Sequence, residues 1–223
     1  MYVGWNMKMN LLTVSPETPV FKAREMMDAH RVSHLPITDG KARLLGIVTD
    51  RDLKEAWASP ATTLSVHELT YILQKLTVAN IMTKNVITAS PDMTIERAAQ
   101  IMYENKIGAL PVVKNGKLIG IITTTDLMKV LLVALGVSDD SKRISLLTMD
   151  RSSALAEAGK LMQQADIDIL SILTVPLQGH QDVWQLIMRV NLSVHAKAVQ
   201  ILEGAGYNVI TEYVEDLTPY LPH

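Results

Sequence analysis

The sequence predicts a mixed α/β (α+β) chain in two parts: a pseudo-two-fold pair of βαββα repeats over residues 1–136, then a βαββαβ domain over 143–216. Three observations predict it. The first part is self-similar, with an offset that changes by a single residue. Thr and Asp recur with the same spacing where a strand runs into a helix in both copies, and the polar stretch VSDDSK (137–142) marks a change of composition before a new alternation of strand and helix periods.

The offset that carries Val3 onto Val78 also carries Met7 onto Met82, Asn10 onto Asn85, Ser15–Pro16 onto Ser90–Pro91, Met27 onto Met102 and Leu35–Pro36 onto Leu110–Pro111. One residue is then lost in a turn, after which Gly46, Thr49 and Asp52 fall on Gly120, Thr123 and Asp126. Within each copy a short β-rich run, Leu11 to Val14 or Val86 to Ala89, precedes Ser-Pro. Apolar residues then recur at helical spacing: Val20, Ala23 and Met27, and Ile95, Ala98 and Met102. Thr18 reads as an N-cap with Pro19 at the first helical position, where the missing proline donor costs nothing; the start signal is weaker in the second copy.

Two short apolar strands follow in each copy, joined by turns at Asp39–Gly40 and Asn115–Gly116, residue types that tolerate positive φ. Between the copies, 59–79 reads as a connecting helix: Ser65 with Glu68 forms a capping box, and Leu69, Ile72, Leu73 and Leu76 form a stripe. The domain plan is therefore repeat 1 (1–58), connecting helix (59–79), repeat 2 (80–136), linker (137–142), C-terminal domain (143–216) and tail (217–223).

The chain has 223 residues, 48% of them apolar, enough to bury real cores. With 21 basic and 23 acidic residues it carries no field that would hold nucleic acid or an anionic membrane. It has no cysteine, so thiolate chemistry and cysteine zinc sites are excluded. Its six histidines show no metal-ligand spacing, and no P-loop, G-x-S-x-G or G-x-G-x-x-G occurs. The N-terminal stretch lacks the basic-then-apolar pattern of a signal peptide, and the run Leu127 to Val137 is too short to span a bilayer, so a soluble cytoplasmic protein is expected.

The strings GIVTDRDL (46–53) and GIITTTDL (120–127) concentrate the chemistry. A helix N-terminus offers unpaired N–H groups and partial positive charge to a phosphate, to which Thr49 or Thr123 adds a hydroxyl donor. Asp52 and Asp126 could accept hydrogen bonds from both hydroxyls of a ribose. A second reading stands beside this one: Thr and Asp at a helix start are also ordinary caps.

These residues resemble CBS domains over both repeats: the h-Pro-h strands Leu35–Pro36–Ile37 and Leu110–Pro111–Val112 (h, apolar), the two G-h-h-T-x-x-D-L junctions, and the lead-in Ile81–Met82–Thr83. The resemblance implies a pseudo-symmetric module with two clefts for AMP, ADP, ATP or a related adenosyl ligand. One cleft would combine Thr123 and Asp126, with Ile121 of the same junction, and Thr18, Val32 and Ser33. The other would combine Thr49 and Asp52 with Ile107 and Gly108, Arg51 supplying charge to a phosphate. The chain departs from the pattern at Trp5–Asn6–Met7–Lys8, which predicts a differently ordered first lead-in, and at Met93, which stands where the first copy has Thr18.

After the linker, strands are expected at 143–149, 169–176, 183–190 and 207–214, with helices between, and Gly204 and Gly206 are expected to end the last helix with positive φ. This order, with Asp150–Arg151 before a helix and Ala205–Gly206–Tyr207 entering the last strand, resembles the ferredoxin-like ACT domain. Asp150, Ser152 and Ser153 occupy the family's ligand loop, with serines where many members carry glycine, so ligand binding and a dimerisation or coupling role are both open. The whole domain order resembles the acetoin-utilisation AcuB family.

The expectation is thus a non-catalytic homodimeric sensor with an adenosine nucleotide as regulatory ligand and no catalytic cofactor, acting on a partner protein and in carbon metabolism. The alternative is a ligand-free scaffold or dimerisation protein that regulates a partner enzyme.

Overall fold

A computed structural model describes residues 1–58 and 76–222. The chain divides into two compact units, Met1–Met128 and Lys129–His223.

In the first unit each repeat is a helix followed by an antiparallel hairpin and a second helix. Repeat 1 has α1 (Val3–Asn6), α2 (Val20–His30), β1 (His34–Thr38), β2 (Leu44–Thr49) and α3 (Asp50–Ala58); repeat 2 has α4 (Val78–Ile81), α5 (Ile95–Asn105), β3 (Ala109–Lys114), β4 (Lys117–Thr123) and α6 (Thr124–Ala134). The lead β-runs shrink to one residue each. Val14 bridges Ile37 and Ala89 bridges Val112, both parallel, and the carbonyls of Pro36 and Pro111 accept the Val14 and Ala89 N–H groups. Proline is tolerated at these positions because only its acceptor is used.

The two lead-ins are exchanged between repeats. Val3 N–H donates to Met93 O (2.8 Å) and Lys8 bridges Ile121, while Val78 N–H donates to Thr18 O (2.9 Å) and Thr83 bridges Ile47. Val78 is fully buried in the cluster formed by Val20, Ala23, Met27, Leu35, Ile37, Val48 and Leu53, and Val3 is buried in the equivalent position. The first lead-in is therefore ordered like the second, as a single helical turn, contrary to the expectation from its composition. The exchange also explains the junction glycines: a Cβ on Gly46 would lie 2.6 Å from Met82 Sδ and 3.0 Å from Thr83 O, and one on Gly120 would meet Met7 Sδ and Lys8 O in the same way.

Two local expectations change. Pro19, not Thr18, occupies the N-cap position of α2 and supplies no side-chain cap, whereas Thr94 caps α5 by accepting the Arg97 N–H at 3.2 Å. A capping hydroxyl must precede the first helical residue directly, and Thr18 is one residue too early. Asn115 and Gly116 take positive φ in a two-residue turn as expected, but in the first hairpin Ala42, not Gly40, does so. The connecting helix expected over 59–79 lies mostly outside the described residues; at its end Thr77 and Asn80 form a reciprocal capping box that opens α4.

In the first hairpin Asp39 Oδ1 accepts the N–H groups of Lys41 and Arg43, both at 2.9 Å, and Oδ2 accepts Arg43 Nε at 2.6 Å. The Arg43 backbone and side-chain bonds hold its carboxyl down to about 2. The folded value lies below the ordinary one, so this contribution is present above the ordinary carboxylate range and is lost as pH falls toward about 2. NMR titration of the Asp39 carboxyl is expected to give that midpoint, and Arg43→Ala to raise it only part-way, because the Arg43 and Lys41 N–H groups remain. An ordinary midpoint in the unsubstituted chain refutes the assignment.

The second unit runs β5 (Ser141–Thr148), α7 (Arg151–Gln164), β6 (Ile169–Pro176), β7 (Trp184–Asn191), α8 (His195–Gly204) and β8 (Val209–Ile210). Its sheet is antiparallel in the order β6-β7-β5-β8, the ferredoxin-like arrangement. Both helices bury small faces, Ala154 and Ala158 with Met162, and Ala198 with Leu202, against Ile144, Leu146, Leu186, Met188 and Val190. β5 begins inside the expected linker, at Ser141, whose Oγ accepts the Ser138 N–H and receives Arg189 Nη1 at 2.9 Å. β8 is shorter than expected, and Gly204 lies within α8, leaving positive φ to Gly206 alone.

Candidate functional site

The strand-to-helix junctions have one geometry, built twice. Thr49 closes β2, and its N–H and Oγ1 both donate to Asp52 Oδ2 at 2.7 Å, while the Asp52 N–H donates back to Thr49 Oγ1 at 3.2 Å. Thr123 and Asp126 repeat it at 3.0, 2.6 and 3.3 Å. The capping reading of these pairs is therefore realised, as a reciprocal box that satisfies the first donors of each helix. It uses only one oxygen of each carboxylate. The next N–H in each chain segment, Asp50 or Thr124, donates to Ser33 O or Gly108 O, both at 3.0 Å, so each junction is tied to the turn before the preceding strand.

That turn owes its direction to a left-handed residue. Arg31 (φ 52°) and Lys106 (φ 53°) end α2 and α5, and the following Val32 and Ile107 N–H groups close back on Met27 O and Met102 O at 3.0 Å. The chain is thereby aimed back toward the junctions.

Two pseudo-symmetric cavities result. The larger, about 560 Å³, brings Thr49, Asp50 and Arg51 together with Ser33, His34 and Ile47, with Thr83, Asn85, Val86 and Ile87 of the second lead-in, and with Asn105 to Ala109 of repeat 2. The smaller, about 260 Å³, is lined by Lys8, Asn10, Leu11, Leu12, His30, Val32, His34, Pro36 and Ile121, all but Pro36 being counterparts of residues in the larger; the counterparts of Thr49 to Arg51 do not line it.

Of the residues expected from the sequence, Thr49, Arg51, Ile107 and Gly108 converge on the larger cavity as grouped. Ser33 joins them there, not the other cleft, because its carbonyl is bonded to the first junction rather than the second. Val32 and Ile121 line the smaller cavity. Asp52, Thr123 and Asp126 are not among the lining of either cavity: Asp52 lies one turn into α3, bonded to the lining residue Thr49, and Thr123 and Asp126 border the smaller cavity through Lys8. Thr18 lines neither cavity: its carbonyl accepts the Val78 N–H and its hydroxyl is 3.5 Å from Ser15 Oγ. Asp126 Oδ1 is occupied by Lys8 Nζ at 3.1 Å.

Sequence reasoning missed Lys106, His34 and Lys8. Lys8 falls on Thr83 and His34 on Ala109 under the repeat offset, so both mismatches are visible in the alignment of the copies, but their meaning is not.

Electrostatics separates the clefts. Asp50 is neutralised by Lys54 Nζ (2.6 Å) and Arg24 Nη1 (3.3 Å), and Arg51 Nε is held by Glu55 (2.8 Å), which also raises the affinity of Arg51 for its proton. Lys106 has no ion-pair partner among the described residues. Burial lowers the His34 pKa against the pull of the Asp52 charge, favouring a neutral ring. Burial works to raise the Asp126 carboxyl, and the Thr123 hydrogen bonds with the Lys8 ammonium outweigh it, leaving it lowered.

In the second unit Asp150 caps α7, accepting the Ser153 N–H (3.0 Å) and hydroxyl (2.7 Å). Ser152 stands exposed beside it. Among the described residues no group of three His, Cys, Asp or Glu could hold a metal, and no helix is long and apolar enough to cross a membrane.

The CBS-domain family model matches residues 3–59 and 78–133, just over half the chain. The chain belongs to the CBS-domain family. Among curated relatives, it is 30% identical over 164 residues to the inosine-5'-monophosphate dehydrogenase of Methanocaldococcus jannaschii, a match spanning 73% of this chain but 30% of that enzyme.

Three solved structures are similar over 59% of the chain. The CBS domain pair of protein MJ0100, in complex with 5'-methylthioadenosine and S-adenosyl-L-methionine, is 28% identical, 95% covered, with a TM-score of 0.51. CBSX2 in complex with AMP is 32% identical, 96% covered, with a TM-score of 0.50. A protein assigned to acetoin utilization (AcuB) from Vibrio cholerae is 29% identical, 90% covered, with a TM-score of 0.50. CBS pairs similar to this one thus hold adenosine ligands.

Proposed function

We propose that this chain is a regulatory, non-catalytic sensor that binds an adenosine nucleotide between its two CBS repeats. The observation that carries the reading is the larger cleft, a cavity of about 560 Å³ in which the Thr49 junction faces Ile107 and Gly108, with the cations of Arg51 and Lys106 on its rim. That volume suits a drug-sized or cofactor-sized ligand, for which about 300–1,000 Å³ is usual. Ile47, Val86 and Ile107 offer apolar contact to a base, the unused Asp52 oxygen an acceptor to a ribose, and the α3 N-terminus with the two cations a seat for phosphate. Adenosine ligands in the CBS pairs of MJ0100 and CBSX2 support the same chemistry.

The ferredoxin-like unit serves as an ACT-like domain that couples the nucleotide signal or adds a second small-molecule one, through Asp150, Ser152 and Ser153. The sensor acts as a cytoplasmic homodimer on a partner protein, and the AcuB likeness points to acetoin or related carbon metabolism.

A thermal-shift series with AMP, ADP, ATP and S-adenosylmethionine tests the proposal, since a ligand that binds only the folded state must raise Tm. AMP is expected to do so, and Arg51→Ala and Lys106→Ala each to weaken it roughly fivefold while leaving neutral adenosine unaffected, the size of an exposed charge-assisted contact. The second reading, a ligand-free scaffold, draws on the capping role of both Asp–Thr pairs. Absence of any shift from all four compounds, with no heat by calorimetry, decides for it.

A further inference from the structure

We infer that each chain binds a single adenosine ligand, in the Thr49 cleft, and that Lys8 and His34 close the pseudo-symmetric Thr123 cleft. The inference rests on the function proposed above and concerns which of two related cavities can perform it.

The repeats supply the control. Eight of the nine residues lining the smaller cavity are counterparts, under the repeat offset, of residues lining the larger, and two of those pairs matter most here. Where the larger cavity has Thr83, the smaller has Lys8; where the larger has Ala109, the smaller has His34. The volumes follow, about 560 Å³ against about 260 Å³, the second lying below the range in which small ligands are ordinarily enclosed, from about 300 Å³. On the smaller side an imidazole stands where the larger cavity has a methyl group, and the same His34 borders the larger cavity beside Gly108, so its ring lies between the two. Its Cε1 and Nε2 would lie 3.2 Å from a Cβ built on Gly108, so the ring is seated against the strand end of repeat 2.

Lys8 has a separate effect on the polar chemistry. Asp126 Oδ2 accepts from the Thr123 N–H and hydroxyl, and Oδ1 is taken by Lys8 Nζ, so both oxygens are engaged. Asp52 Oδ2 is engaged in the same way by Thr49, while its Oδ1 receives no hydrogen bond from the described residues. A ribose diol that needs a carboxylate acceptor therefore finds one at Asp52. At Asp126 it must first displace an ammonium group from a carboxylate that is only 14% exposed. Lys8 acts as a built-in cation that takes the place of a ligand, and the second cleft becomes a fixed part of the inter-repeat packing.

Isothermal titration with AMP and, separately, S-adenosyl-L-methionine tests this on the full chain. The unsubstituted protein is expected to bind one AMP per chain, and Asp52→Asn to weaken that event by roughly 30-fold or more. The double variant Lys8→Thr, His34→Ala is expected to bind two. Lys8→Thr alone, at a side chain 62% exposed and so tolerant of change, is expected to show a second, weaker event even should the double variant not fold. Two ligands per chain in the unsubstituted protein overturn the inference and leave the sensor reading intact. So does a single event whose affinity Asp52→Asn leaves unchanged, or a second cleft that stays empty in both variants. No binding of either ligand to the unsubstituted chain overturns the sensor reading and this inference together.

Discussion

Replacing Asp52 with alanine is expected to weaken AMP binding by roughly 30- to 150-fold, about 2–3 kcal/mol, the cost of removing a charged acceptor that two ribose hydroxyls share. The same change removes the acceptor for the Thr49 N–H and hydroxyl, so Tm falls as well, by the equivalent of about 1 kcal/mol for a lost helix cap. Asp52→Asn separates the two effects. Its amide oxygen can still accept from Thr49, keeping the cap, while its amide nitrogen presents a donor where the ribose needs an acceptor. Calorimetry should find Asp52→Asn nearly as deficient in AMP binding as the alanine variant, with most of the Tm retained. If Asp52→Asn binds AMP with unchanged affinity, the carboxylate serves the helix only and the ribose assignment is wrong.

Gly46→Ala is expected to destabilise the first unit by about 1–3 kcal/mol, although alanine is normally the better residue in a strand interior. The added Cβ would meet Met82 Sδ at 2.6 Å and, on the less yielding side, Thr83 O at 3.0 Å. The lead-in of repeat 2 must shift away from β2, loosening the paired bonds between Thr83 and Ile47. Met82→Ala removes the thioether, and in a double-mutant cycle the pair should be less destabilised than the sum of the single changes, with coupling of about 0.5–2 kcal/mol. Urea denaturation of the four proteins measures it. Strict additivity would show that the exchanged lead-in does not pack on the glycine in solution.

The parts of the fold that could be read directly are those governed by local periodicity. Ala98, Met102 and Leu110 were identifiable as core because a helix repeats every 3.6 residues and a strand every two, and all three are buried. The Asn115–Gly116 turn followed from residues that accept positive φ. Errors arose where a single residue of register mattered. Thr18 and Thr94 look alike as N-cap candidates, yet only the one directly ahead of the first helical residue caps. Likewise Asp39 gathers two backbone N–H groups and moves the left-handed position from Gly40 to Ala42, an outcome of competing hydrogen bonds rather than of propensity.

For the candidate site, the junction motifs single out Thr49, Asp52, Thr123 and Asp126 for a phosphate and a ribose or, alternatively, as caps, and the structure shows the capping contacts within each pair. What faces them was only partly legible. Ile107 and Gly108 were placed by the family resemblance; Ser33 was assigned to the opposite cleft, and Lys106, His34 and Lys8 were absent.

The sequence by itself determined the repeat, the element order, the core residues and the capping geometry of both junctions, because each depends on neighbours within a few positions along the chain. Only the tertiary structure decided that the lead-ins are exchanged, that Lys8 reaches Asp126, and that one cleft has twice the volume of its twin. Those features depend on residues brought together across the pseudo-two-fold, and a substitution such as Ala109 to His34 between copies has no size until the space it must occupy exists.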